Sequence, residues 1–153
     1  MLIPPASSPA VRALARRGLE TRTSWPTKIE FSFRDIYGKR ISLSDEKFKN
    51  KVVIIQIMGS WCPNCMDETK FLAPYYSKHK AEGLEIIGLD YEKIVTFATA
   101  KNNLQRLKKY YGIEYTLLFA GSSDKKEASK TLPMMTDVLA FPTTIFIDRK
   151  GRV

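Results

Sequence analysis

One stretch decides how this chain folds: Val52-Val53-Ile54-Ile55-Gln56-Ile57-Met58-Gly59-Ser60-Trp61-Cys62-Pro63-Asn64-Cys65. Its first seven residues are mostly apolar and β-branched, which predicts a buried strand. Directly afterwards, Met66–Lys80 has the apolar spacing of a helix. Cys62 therefore lies where a strand turns into a helix. Pro63 occupies the first helical position, where its missing N–H costs no hydrogen bond.

The two cysteines are the only ones in the 153 residues, and they are spaced Cys-x-x-Cys. Unpaired N–H groups and the helix dipole at a helix N-terminus favour a thiolate over a thiol. A thiolate is the attacking and leaving group of disulfide exchange. The pattern thus predicts a redox-active Cys62–Cys65 pair that needs no other cofactor. We expect Cys62 to be accessible to solvent and Cys65 to be shielded.

Two other uses of a Cys-x-x-Cys pair have to be weighed. A closed zinc site needs four ligands, and this chain adds only one histidine, His79, to its two cysteines. We therefore predict no metal site. A purely structural disulfide would close so short a loop that it would constrain the unfolded chain little. Both uses stay as alternatives, and the redox interpretation is favoured.

A second motif, Phe141-Pro142-Thr143-Thr144, follows later in the chain. Together with Trp61-Cys62-Pro63-Asn64-Cys65 after an apolar strand, it resembles the thioredoxin-like superfamily. Within it, the chain looks like the membrane-facing thiol–disulfide oxidoreductases of the TlpA and ResA type, over about residues 29–153. The resemblance implies an α/β thioredoxin-like fold, with a central mixed β-sheet flanked by helices and an N-terminal β-hairpin.

The resemblance also implies a substrate-binding surface around the cysteines. Pro142 matches the superfamily's cis-proline, which lies opposite the active-site disulfide. That geometry would leave the backbone N–H and C=O of Phe141 free to pair with a partner peptide. Trp61 and Pro63 would complete this surface beside Cys62, with Trp61 as an exposed apolar platform. The alternative for Trp61 is a partly buried ring, and the alternative for Pro142 is an ordinary trans proline that opens an edge strand.

A candidate base follows the second cysteine. Glu68 lies one helical turn after Cys65, where its carboxylate could accept the thiol proton. It also matches the glutamate that stands in this place in proteins of the ResA type. The alternative is that Asp67 and Glu68 only complement the helix dipole. Ordinary thioredoxins carry a buried aspartate where Gln56 stands here, and a neutral amide cannot serve as a base.

These residues predict an enzyme of thiol–disulfide exchange. Cys62 attacks a partner's disulfide, and Cys65 then attacks Cys62 and releases the reduced partner. The sequence leaves the direction open, and the resemblance implies a reductant. The expected partners are a disulfide-containing protein substrate and an upstream thiol reductant. The alternatives are a binding module for copper or partner docking that uses Cys62, Cys65 and His79, and, more weakly, a peroxidase.

Composition limits the remaining classes. The formal charge is +9, but basic residues are spread along the chain and interleaved with acids, so we expect no nucleic-acid partner. The hydrophobic content of 44% is enough for a core, and no apolar run is long enough to span a membrane. We expect membrane contact only through segments outside this chain. By resemblance the location is the periplasm-facing cell envelope, and the alternative is the cytoplasm.

The two ends of the chain carry their own expectations. Met1–Thr27, with a short helix over Ala10–Arg17, is interpreted as a linker or the tail of an upstream segment; a transit peptide is the alternative. Residues 28–153 would form the thioredoxin-like domain. After the last strand and the turn at 149–151 only Arg152 and Val153 remain, so we predict that the fold's C-terminal strand and helix are missing. The incomplete sheet would then recruit a second copy, Met1–Thr27 or residues not in this chain.

Overall fold

The computed structural model describes residues 28–135 and 140–153, and the predicted segment Met1–Thr27 with its short helix lies outside them. The described residues form one six-stranded sheet in the order β2-β1-β5-β4-β3-β6. The strands are β1 Ser32–Asp35, β2 Arg40–Ser42, β3 Val52–Met58, β4 Leu84–Glu92, β5 Thr116–Ser122 and β6 Thr143–Ile147. The α-helices are α1 Pro63–His79, α2 Phe97–Tyr111 and α3 Lys125–Thr131. Two short 3-10 helices span Glu46–Phe48 and Lys80–Glu82.

The sheet is mixed, as predicted. Its centre is parallel, because β4 runs parallel to both β3 and β5. Strand β6 pairs antiparallel with β3, and β1 pairs antiparallel with β5 and β2. The β1–β2 pair is the predicted N-terminal hairpin. Its turn closes where the Asp35 N–H donates to the Lys39 carbonyl at 2.8 Å, and Gly38 supplies the positive φ of 82° that the turn requires.

The two faces of the sheet bury different clusters, because successive residues of a strand point to opposite sides. Ile54 and Met58 of β3 face α1 and α2, in a cluster that includes both cysteines. Ile55 and Ile57 face the other side, in a cluster that includes Ala128 of α3. The near-continuous apolar run of β3 is thus explained by burial on both faces.

Helix α1 begins at Pro63, the residue predicted for its first position, three residues before the apolar periodicity that starts at Met66. Its first turn is stabilised by Cys62, whose Sγ accepts the N–H of Cys65, and by Pro63 itself. The helix passes into the 3-10 turn Lys80–Glu82, which ends at Gly83 with a φ of 89°.

Strand β6 is an edge strand of the described sheet, and its Phe146 is 63% exposed. The predicted turn follows it, closed by the Asp148 N–H, which donates to the Arg152 carbonyl at 2.9 Å. Completion of the sheet by a further segment stays a prediction. Among the described helices, none combines the length and apolarity that a bilayer crossing requires.

Candidate active site

Cys62 and Cys65 form a disulfide at the N-terminus of α1, with their Cα atoms 5.2 Å apart. The Cys65 N–H donates to the Cys62 Sγ at 3.2 Å. Cys62 is thus the N-cap residue of the helix, and its sulfur occupies the place where helical N–H groups favour negative charge. A thiolate released there on reduction meets a donor that is already in position.

The two sulfurs are buried to different degrees. Cys65 is fully buried, as predicted, but Cys62 is only 4% exposed in this disulfide form. The expectation that Cys62 is solvent-accessible is therefore wrong for this state. The reason is a long-range contact, because Trp61 and Phe141 pack against the cluster that contains the disulfide and the Phe141 carbonyl oxygen lies 3.7 Å from the Cys62 Sγ.

The Phe141–Pro142 peptide bond is cis, as the resemblance implied. Pro142 directly precedes the edge strand β6, and the carbonyl of Phe141 faces the Cys62 sulfur. The structure thus brings the two sequence motifs together. Both residues are partly exposed.

Trp61 is a half-buried ring, which favours the alternative interpretation over that of an exposed platform. Its Nε1–H donates to the Tyr91 carbonyl at 2.8 Å, and its ring meets that of Phe141 edge-on at 5.4 Å. A side chain at Gly59 would collide with this arrangement, since an added Cβ would lie 2.6 Å from the same carbonyl oxygen. Pro63 is exposed.

Gln56 connects the centre of the sheet to the first turns of α1. It is fully buried, and its Nε2 lies 3.2 Å from each of three acceptors. These acceptors are the Cys65 carbonyl, a carboxylate oxygen of Glu68 and the hydroxyl of Thr69. An amide nitrogen carries two hydrogens, so the three acceptors compete for them. The Thr69 hydroxyl also donates to the Cys65 carbonyl at 2.9 Å.

Glu68 points inward, whereas its neighbour Asp67 is exposed. One oxygen of the half-buried Glu68 carboxylate accepts from Gln56 at 3.2 Å, and the other accepts from the Thr144 hydroxyl of β6. The carboxylate is therefore held between β3, β6 and the turn that carries Cys65. Glu68 and Asp67 thus differ in their contacts, although both lie at a similar distance from the N-terminus of α1 and so experience a similar helix dipole.

Sequence reasoning missed Thr69 and Thr144 as members of this network. Thr69 follows Cys65 by four residues and so shares its helix face, which is a readable signal. Thr144 is paired with Gln56 across β3 and β6. That pairing follows from sheet register, which local sequence does not supply.

The described residues contain no group of three or more His, Cys, Asp or Glu side chains placed to hold a metal ion. His79 ends α1, and its Nδ1 lies 2.6 Å from a carboxylate oxygen of Glu82. His79 lies seventeen positions after Cys62, at the far end of the 17-residue helix, which is roughly 25 Å along the axis. The structure thus does not bring His79 together with Cys62 and Cys65, and the ligand set considered for copper is not assembled.

The sequence of this chain matches a known protein family. Residues 27–153 match the model of the AhpC/TSA family. The chain is 35% identical over 124 residues to the thiol-disulfide oxidoreductase ResA of Bacillus thuringiensis subsp. konkukian, an overlap of 80% of this chain and 62% of that protein. Against the ResA of Bacillus subtilis it is 30% identical over 123 residues, covering 80% and 60%. The chain thus spans about 60% of the length of these curated relatives.

Solved structures support the same fold. A putative protein disulfide isomerase from Bacteroides thetaiotaomicron superimposes with a TM-score of 0.61 at 25% identity, over 83% of this chain and 73% of that one. A thiol-disulfide oxidoreductase from Bacteroides fragilis gives 0.65 at 17% identity, over 82% and 85%. The second likeness concerns the fold alone. The thioredoxin-like fold is confirmed, and the chain belongs to the AhpC/TSA family.

Proposed function

We propose that this AhpC/TSA-family chain is a thiol–disulfide oxidoreductase that reduces disulfides of partner proteins through the Cys62/Cys65 dithiol. One observation carries the proposal: the disulfide caps α1 and faces the cis Phe141–Pro142 peptide. In that arrangement, the position where the Cys62 thiolate would be stabilised lies next to the Phe141 backbone, which can bind a substrate peptide. The names of the ResA relatives agree with this activity.

The first step belongs to Cys62. In the reduced protein its thiolate attacks one sulfur of the partner's disulfide, a new S–S bond forms, and the partner's other sulfur leaves as a thiolate. The Cys65 N–H, which lies 3.2 Å from the Cys62 Sγ, stabilises the attacking anion before the reaction. The leaving thiolate takes a proton from water.

The second step belongs to Cys65. Its thiol must lose a proton before its sulfur can attack Cys62, and Cys65 is fully buried. Glu68, one turn further on and fixed by Gln56 and Thr144, is the group that accepts this proton, directly or through a water molecule. The Cys62–partner bond then breaks, the partner leaves fully reduced, and two electrons have passed to it.

Substrate binding would use the surface formed by Trp61, Pro63, Phe141 and Pro142. The partner's chain would lie along Phe141 as an added strand and present its cysteine to Cys62. Because Cys62 is 4% exposed in the disulfide form, the oxidised protein offers little sulfur surface to thiols at large. An upstream thiol reductant must then dock at the same surface to return the pair to the dithiol.

The setting of the reaction follows from the resemblance. We place residues 28–153 as a thioredoxin-like domain on the periplasmic face of the cell envelope. Membrane contact would be made by segments outside this chain. No cofactor is needed beyond the cysteine pair, since the pair itself stores the two electrons.

An insulin-reduction assay tests the proposal against the metal-binding alternative. The chain should accelerate reduction of insulin by dithiothreitol, and Cys62→Ser should abolish the acceleration. Titration of the reduced chain with Cu(I) or Zn²⁺ runs in parallel. Absence of reductase activity combined with stoichiometric metal binding would establish the binding module and overturn the reductase.

A further inference from the structure

The end of β4 holds the loop that leads to Cys62. Glu92 accepts the N–H of Ser60 through one carboxylate oxygen at 3.3 Å and the side-chain amide of Asn103 through the other at 3.4 Å. The Tyr91 carbonyl accepts the Trp61 ring N–H. Two consecutive loop residues are thus tied to two consecutive residues of β4, immediately before the first cysteine.

Asp90 lies just before these two residues and is fully buried. Neither of its carboxylate oxygens has a hydrogen-bond partner in the structure. It is paired in register with Met58, and Met58 packs in the same cluster as Cys62 and Cys65. A buried carboxylate without donors is costly, so this one needs an explanation.

Glu92 supplies the explanation. Residues two apart on a strand share a face, so Asp90 and Glu92 point to the same side of β4. Burial raises the pKa of Asp90 well above its usual range, the nearby Glu92 carboxyl raises it further, and the Ser60 N–H opposes this shift. Two carboxylate oxygens cannot hydrogen-bond to each other, but a protonated Asp90 can donate to an oxygen of Glu92.

The surroundings offer Asp90 no compensating cation among the described groups that act on it. Strand β3 presents Met58 and β5 presents Phe119 in register with it, and α2 brings the neutral Asn103 to Glu92. The ammonium of Lys93 lies over the Trp61 ring, 4.9 Å from its centroid. Glu92 is the charged group that acts on Asp90, and its effect favours the proton.

We propose that the buried Asp90 keeps a proton that it can donate to Glu92, and that the two act as positioning residues for the Ser60–Cys62 loop, so that the reactivity of Cys62 depends on pH. While the proton is present, Asp90 is neutral and Glu92 holds the Ser60 N–H. When the proton leaves, a negative charge appears on Asp90 under the loop and disfavours the Cys62 thiolate. The inference rests on the proposed function only in taking Cys62 as the attacking thiol.

Carboxyl carbon NMR measures the protonation of Asp90 directly. In the full chain labelled with ¹³C-aspartate, the Asp90 signal is identified by its absence in Asp90→Asn. It should titrate well above the usual range of an aspartate carboxyl. Glu92→Gln should lower the titration midpoint of Asp90. Titration of Asp90 within the usual aspartate range, or no response to Glu92→Gln, would overturn the inference.

Alkylation kinetics test the link to Cys62. The second-order rate constant of Cys62 with iodoacetamide is measured against pH in the reduced chain. In the parent, the rate constant around the titration midpoint of Asp90 should differ by about two- to tenfold from the curve expected for a single titrating thiol. One pK unit corresponds to a tenfold change. The departure should vanish in Asp90→Asn and persist in Asp67→Asn. Identical profiles in the parent and Asp90→Asn would overturn the link.

Neither readout requires turnover of a protein substrate. If the insulin assay fails while Asp90 still holds its proton and modulates Cys62, the proposed function falls and the acid pair stands. If the insulin assay succeeds while Asp90 shows no raised titration midpoint, the proposed function stands and the inference about Asp90 falls.

Discussion

The Nε2 of Gln56 donates to a carboxylate oxygen of Glu68 at 3.2 Å, from the middle of β3 to the second turn of α1. The same nitrogen lies 3.2 Å from the carbonyl oxygen of Cys65. The amide that stands in place of the thioredoxin aspartate is therefore not a base itself, but it orients the carboxylate that we propose as the base. A carboxylate restrained in this way on the turn of the second cysteine is suited to accept a proton there.

Glu68→Gln should slow resolution of the mixed disulfide by on the order of a hundredfold at neutral pH, because a general base is lost while the shape is kept. The rate is measured by stopped-flow mixing of the reduced chain with a disulfide peptide. The variant should remain folded, since an amide can still accept from Thr144.

Asp67→Asn is the matched control for this variant. It removes the same charge one residue away, from an exposed side chain. Its resolution rate should stay close to that of the parent. Equal slowing by the two substitutions would show that Glu68 acts only through the helix dipole.

Gln56→Leu should destabilise the protein by about 1–3 kcal/mol, because it removes the buried amide donor that lies 3.2 Å from the Cys65 carbonyl, the Glu68 carboxylate and the Thr69 hydroxyl. Urea unfolding of the oxidised chain gives the free energy difference. Leucine fills a similar volume, so packing loss contributes little. A variant as stable as the parent would mean that the hydrogen bonds of the Gln56 amide are replaced by others.

Asp90→Asn should change how stability depends on pH. Burial raises the folded-state pKa of Asp90, so the protonated side chain contributes to the free energy of unfolding in full below the pKa of an aspartate in the unfolded chain. This contribution is lost as the pH rises through the folded-state pKa, at up to about 1.4 kcal/mol per pH unit. The parent's unfolding free energy should therefore fall with rising pH over this window.

The asparagine variant should lack that fall and exceed the parent in stability at the upper end of the window. Urea midpoints of the oxidised chain at successive pH values make the comparison, with Asp67→Asn beside it. A parent and an Asp90→Asn variant that follow parallel curves would contradict the assignment.

Much of the fold was predictable because its signals are local. The apolar run of β3, the Gly38 turn and the spacing of α2, for which Thr96 is the N-cap residue, all read directly from neighbouring residues. The start of α1 at Pro63 was predictable from the proline, but the Cys62 side chain that caps its first turn was not. Periodicity reports the buried face of a helix and not its capping group.

The candidate site was predictable only in part, for the same physical reason. The two cysteines and Glu68 lie within two helical turns, so their proximity followed from spacing. The burial of Cys62 under Phe141 and the bond from Thr144 to Glu68 join positions 79 and 76 residues apart. Such contacts depend on sheet register and strand order, and no local pattern encodes them.

Alkylation of the reduced chain at neutral pH should label Cys62 before Cys65. Cys62 lies at the helix N-terminus and borders Trp61 and Phe141 near the surface, whereas Cys65 is fully buried beneath the first turn of α1. Mass spectrometry of peptides after short exposure to iodoacetamide gives the order. Equal or reversed labelling would show that the roles of the two cysteines are wrongly assigned.

The most direct test of the central claim is covalent capture of a substrate. When reduced Cys65→Ser is mixed with a disulfide-containing protein such as insulin, a mixed disulfide through Cys62 should accumulate, because nothing resolves it. Intact-mass analysis and peptide mapping identify the bond. The account predicts a stable adduct with Cys65→Ser and none with Cys62→Ser. Equal capture by both variants, or no adduct with either, would contradict it.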